Sequence, residues 1–247
     1  MTTLATVAGE PIGVLAVMAV AVLLGAMTQT TVGLGLGLVS APVLTFVAPE
    51  LMPGVIIMMG MALPLLTLLR EHHDIDWHGV RWLTPWRILG TVGGVWIVTQ
   101  VTAEALERIV GVVVLIAVGL TVHAFAVPMN RGTLGVAGFI SGVTGTATSI
   151  GGPPVALLYQ HRPPHQVRST LAVIFVTGSA ISLTGLGVSG ELTLQELQVA
   201  AVLVPVLASG VALGTLLRSR LPLSVMRPAL LGVSAISAVV LIVKSFI

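Results

Sequence analysis

The chain has no cysteine. Disulfides, thiolate catalysis and Cys-based metal sites are therefore excluded. Charge is nearly as scarce. Asp, Glu, Lys and Arg make up 8% of the 247 residues, against about 25% in a soluble domain. So few charges cannot cover a water-facing surface. The hydrophobic fraction is 55%, and apolar runs of about 20 residues, the length that crosses a bilayer, recur along nearly the whole chain. Lipid must cover the outside. Basic residues exceed acidic ones by only 11 to 9, and no basic patch carries interleaved aromatics, so nucleic acid is not expected as a partner. No polar stretch is long enough for a second folded domain. No basic flank precedes the first apolar run, 12–24, which is therefore expected in the mature protein rather than in a cleaved signal.

Six apolar runs read as full crossings: 53–69, 84–100, 105–125, 167–186, 197–217 and 225–243. Helix is expected throughout, because lipid offers no partner to unpaired backbone groups. Two further regions, 12–48 and 132–160, are apolar but broken in the middle by Gly, Thr and Ser. Each is expected to enter and leave on one side as a broken, re-entrant hairpin.

The charges orient the chain. Arg70, Arg81 and Arg87 surround one loop, Arg131 sits in another, Arg162 and Arg168 in a third, and Arg218, Arg220 and Arg227 in a fourth. The loops at Glu50, Glu104/Glu107 and Glu191/Glu196 are acid-biased, with Arg108 the exception. Positive charge stays inside, so the Arg loops face the cytoplasm and both termini face out, with Lys244 a mild violation. The halves also match. Gly33, Pro42 and Val43 recur as Gly145, Pro154 and Val155, and Pro85, Gly90 and Gly94 recur as Pro205, Gly210 and Gly214. The span 53–69 runs inward and its counterpart 167–186 runs outward. The expected fold is an all-α polytopic membrane protein of two inverted repeats, 1–126 and 127–247, in one integral membrane domain. Each repeat is a broken hairpin plus three transmembrane helices. Inverted repeats with discontinuous helices are the pattern of secondary transporters, whose site lies at the repeat interface.

The breaks could carry the chemistry. The first contains Gln29, Thr31, Gly33, Gly37 and Ser40; the second contains Thr144, Gly145, Thr146, Thr148, Ser149, Gly151, Gly152 and Pro153. Gly lets backbone approach a ligand, and Pro is tolerated in the first turn of a helix. Gly152-Pro153-Pro154 is thus expected to open the second arm of its hairpin. A helix N-terminus within the membrane offers N–H groups and a positive dipole to an anion, and the hydroxyls add neutral donors. Small-residue packing is the competing explanation for Gly33, Gly35 and Gly37. Gln29 either bonds substrate or ties the hairpins together. The segment Glu71-His72-His73-Asp74-Ile75-Asp76-Trp77-His78 has metal-ligand residue types without a distinctive spacing, and is read as a solvated loop; no metal or cofactor is expected. His123 is read as interfacial. Arg168 either snorkels or attracts anions to the inner mouth. No Asp, Glu, Lys or Cys lies near the middle of a span, which disfavours an intramembrane enzyme.

The paired Gly-rich hairpins, Gly151-Gly152-Pro153-Pro154, Arg168-Ser169-Thr170 and the Asp76-Trp77 loop resemble the sulfite exporter TauE/SafE family of membrane transporters. The resemblance spans essentially the whole chain. It implies transport of sulfur-containing anions, such as sulfite or organosulfonates, across a bacterial inner membrane. The expected partners are a small anionic substrate and the lipid bilayer, with a homodimer also compatible. An anion channel would share the same parts.

Overall fold

The computed structural model describes residues 6–70, 73–123, 127–218 and 223–246, with the backbone alone for Val32, Arg70, Pro164, Arg218 and residues 223–230. A two-residue antiparallel ladder, β1 (Thr6–Val7) with β2 (Glu10–Pro11), precedes ten α-helices among the described residues. They are α1 (Ile12–Val32), α2 (Leu36–Val47), α3 (Gly54–Arg70), α4 (Trp77–Gln100), α5 (Ala103–His123), α6 (Arg131–Thr148), α7 (Gly152–Tyr159), α8 (Pro164–Ser189), α9 (Leu194–Arg218) and α10 (Leu223–Lys244). This is an all-α polytopic membrane protein. By length and composition, stretches of α1, α5, α8 and α9 can each cross a membrane, and shorter apolar segments lie in α2, α3 and α10.

All six expected crossings are helices. The run 84–100 starts early, at Trp77, because Asp76 caps the helix by accepting a hydrogen bond from Gly79 N at 3.0 Å. The expected end of the 105–125 span lies outside the described residues, as do Glu71, His72 and Arg220.

The two broken regions need a correction. Their arms are unequal, and the break lies past the middle. α1 has 21 residues, about 32 Å at 1.5 Å per residue, and so is long enough to span a bilayer core. The Thr run that reads as a break instead continues the helix. Thr28, Thr30 and Thr31 donate back to the carbonyls of Leu24, Ala26 and Met27, which removes their hydroxyls from competition with the backbone. Thr144 and Thr148 do the same in α6, to Ile140 and Thr144. α1 stops only where Gly33, at φ 91°, takes the left-handed conformation that caps a helix C-terminus. α6 stops at Ser149, also left-handed at φ 63°.

Glycines set the main packing. Side chains at Gly90 and Gly94 would strike the α6 backbone near Phe139 and Val143. Side chains at Gly210 and Gly214 would strike the α1 backbone near Leu23 and Met27. Positions rise together along each pair, so α4 runs parallel to α6 and α9 parallel to α1. The two matching sequence sets therefore do matching work: each lets one helix lie backbone-to-backbone on the long arm of the other half's hairpin. α3 packs on α8, and α5 on α10.

The paired charges sort to the two ends. At one end, Asp74 lies 3.4 Å from His165, and Tyr159 donates to Asp76 at 3.0 Å. At the other, Lys244 is 2.9 Å from Glu107 and donates to Phe46 O at 3.0 Å. Pairing with Glu107 explains how Lys244 is tolerated at the acid-biased end. A cysteine introduced at Ile75 should label with a membrane-impermeant maleimide only from the cytoplasmic side; labelling from the outside would invert the topology.

Candidate functional site

The two breaks meet. A side chain at Gly37 would strike the carbonyl oxygen of Ser149, and one at Gly152 would lie 2.7 Å from Leu34 Cδ2 and 3.2 Å from Phe175 Cζ. Between the breaks lies a cavity with about 70 Å³ open to water, enough for several water molecules. Of the residues named from the sequence, Gln29, Gly37, Gly145, Ser149, Gly151, Gly152 and Pro153 line it.

The others do not line it. Thr31 donates to the carbonyls of Met27 and Thr28, and Gly33 caps α1. Ser40, fully buried, donates to Ala21 O at 2.9 Å and holds α2 against α1. Thr144 lies 2.9 Å from both Ile140 O and Ile150 O. Thr148 bonds back to Thr144 O. Thr146 lies behind the cavity wall, 2.7 Å from Ser182 Oγ and 3.3 Å from Thr91 Oγ1. The hydroxyls read as donors for a ligand are thus mostly engaged in holding the helices. Gln29 ties together the arms of its own hairpin: its Oε1 accepts from Leu36 N at 3.1 Å.

The largest gap in the sequence reading is Arg87. Grouped above with a loop, it lies inside α4, 4% exposed, and lines the cavity. Its Nη1 donates to Ser141 Oγ at 2.7 Å, and Ser141 Oγ donates to Gly151 O at 2.5 Å. Its guanidinium lies flat over Gly178 of α8, where any side chain would overlap it. Among the described residues, Arg87 Nε is the one buried side-chain nitrogen or oxygen without a hydrogen-bond partner. A buried charge with no counter-charge is expensive, and an ionisable group inside a membrane span points to a functional site. The signal was legible: Arg87 falls within the run 84–100.

The two helix starts at the cavity differ. In α2, Val39 N makes the first backbone bond, to Gly35 O, so the N–H groups of Gly37 and Leu38 precede it and point along the helix start. In α7, Pro153 and Pro154 have no N–H, which leaves Gly152 as the donor of the first three positions. What α7 lacks in donors, the guanidinium beside it supplies. One cation and a few N–H groups line the cavity together with Ser179 and with Ser149 and Ser182, whose hydroxyls bond Pro53 O and Thr146 Oγ1, and among the described residues no carboxylate lines it. That set can hold an anion.

Two other motif elements also meet. Asp76 N donates to Thr170 Oγ1 at 3.0 Å while its carboxylate accepts from Tyr159. This joins the starts of α4 and α8 to the end of α7. The His-rich segment is organised the same way: Asp76 serves as a cap, and Asp74 faces His165. His123 is exposed, 3.2 Å from Gly119 O, at the end of α5. Arg168 is half-buried in the second turn of α8.

A mostly helical apolar chain with a cavity between two helix breaks is an α-helical polytopic membrane protein. The model of the sulfite exporter TauE/SafE family matches residues 17–241, and the chain belongs to that family. Neither a curated protein nor a solved structure matches it.

Proposed function

We propose that the protein is a secondary transporter of small sulfur-containing oxyanions, of the sulfite or organosulfonate kind, working by alternating access in a bacterial inner membrane. The observation that carries this reading is the buried Arg87 guanidinium, with Nε unpartnered, at a cavity between two helix breaks that no carboxylate of the described residues lines. An oxyanion would take charge-assisted hydrogen bonds from Arg87 and neutral ones from Gly37 N, Leu38 N and Gly152 N. The small space favours an inorganic oxyanion over a bulky one. Inverted repeats are supported by the exchanged packing of α4 on α6 and α9 on α1. The test of binding is thermal stabilisation of the purified protein by sulfite, sulfate, thiosulfate and small sulfonates. Stabilisation by none of them would refute the reading.

The cavity also bears on coupling. Among the described residues no carboxylate lines it, so none of them supplies an acid there to carry a proton with the substrate. An inside-negative potential favours anion exit by about 2.3 kcal/mol per charge per 100 mV. Transport in proteoliposomes should therefore respond to an imposed voltage at fixed pH. Flux that follows a pH gradient and ignores voltage would contradict this.

A further inference from the structure

All four tryptophans of the chain, Trp77, Trp82, Trp86 and Trp96, lie on α4, and each is more than a third exposed. On this outward face, His78, Arg81, Trp82, Pro85 and Trp86 line a groove separate from the central cavity. From the parallel α6, Arg131 lays its guanidinium over the Trp82 ring, 4.6 Å from its centroid. The nearby acids are engaged elsewhere: Asp74 with His165, and Asp76 with Gly79 and Tyr159. Among the described residues, Arg81 and Arg131 thus stand beside a tryptophan belt with no carboxylate paired to either. From the groove, the exposed side chains of Leu89, Val92 and Trp96 continue at helical spacing along the same helix.

We infer that this face of α4 and α6 binds an anionic phospholipid. Its phosphate sits against the guanidinium groups of Arg81 and Arg131, and its acyl chains follow Leu89, Val92 and Trp96. Guanidinium recognises phosphate oxygens through charge-assisted hydrogen bonds. Tryptophan prefers the headgroup level, and basic pockets between transmembrane helices hold anionic headgroups. A second copy is the poorer occupant, because twofold pairing of this face would set its arginines against arginines. The site is independent of the transported anion.

Because every tryptophan is on α4, and Trp82 and Trp86 line the groove, intrinsic fluorescence reports on this helix and on the lipid beside it. The protein is reconstituted in phosphatidylcholine vesicles carrying a minor fraction of dibrominated phosphatidylglycerol or, in parallel, dibrominated phosphatidylcholine. Brominated phosphatidylglycerol should quench more strongly, with a preference of about fivefold per arginine. Arg81→Gln with Arg131→Gln should reduce that quenching to the phosphatidylcholine level, with folding intact because both side chains are on the surface. The inference is overturned by equal quenching from the two lipids in the unaltered protein. It is equally overturned by a preference that survives in the double variant, or by no quenching from either lipid, as a second copy covering the face would produce.

Discussion

Arg87→Gln should abolish stabilisation by substrate while leaving the ligand-free protein at least as stable as before. The two effects have one cause. With no anion bound, α4 carries a buried charge that has, among the described residues, one hydrogen bond, to Ser141, and no counter-ion. Removing that charge removes a desolvation penalty, so the melting temperature should hold or rise. With an anion bound, the same charge is its main partner. Losing one side of a buried charge pair costs about 2–5 kcal/mol, or from about thirtyfold to a few thousandfold in affinity. Arg87→Lys should fall between, because a single ammonium cannot serve Ser141 and the anion with the planar fork of a guanidinium. Affinity and melting temperature measured on both variants separate this role from a packing role. Packing alone predicts a lower melting temperature with affinity retained, and that result would remove Arg87 from the site.

Gly178→Ala should also lower affinity, without changing any charge. The new methyl would land on the Arg87 guanidinium. The guanidinium is the end of a flexible side chain and can swing away, but doing so breaks its bond to Ser141 and moves it from the cavity wall. Alanine favours helix over glycine by about 1 kcal/mol, so α8 should form at least as well. Gly187→Ala is the matched control, since nothing lies within 4 Å of the methyl it adds to the same helix. The expected result is an affinity reduced by more than about tenfold for Gly178→Ala, which a 1.4 kcal/mol loss already produces, and no change for Gly187→Ala. Equal affinity in both would mean that the guanidinium position over Gly178 does not matter to binding.

The helix breaks were legible because they depend on local chemistry. Gly33 takes a left-handed φ, and Gly152-Pro153-Pro154 opens a helix because proline fits the first turn. Seven of the residues named around these breaks do line the cavity. The hydroxyls were harder to read. From sequence, Thr31, Thr144, Thr146 and Thr148 are free donors. In the fold, Thr31, Thr144 and Thr148 bond to backbone carbonyls on their own helix or its tip, and Thr146 bonds to Ser182 and Thr91. A hydroxyl's partner depends on its rotamer and on the neighbouring helix, and neither is a property of spacing.

By itself the sequence determined that this is a helical membrane protein. Too few charges exist to face water, and backbone in lipid must bond within its own helix. It also determined that the six apolar runs are helical and that two regions are interrupted near Gly33 and Gly152, and it matched Gly90 and Gly94 with Gly210 and Gly214. The sequence places Arg87 within a span, and tertiary structure decided what surrounds it there. Arg87, near a loop in the chain, is carried about 15 Å along α4 by ten residues of helical rise. It is admitted there because α8 presents a glycine and α6 a serine at its level. A charge is buried by what surrounds it, and those neighbours come from helices 54 and 91 positions away in sequence, at Ser141 and Gly178.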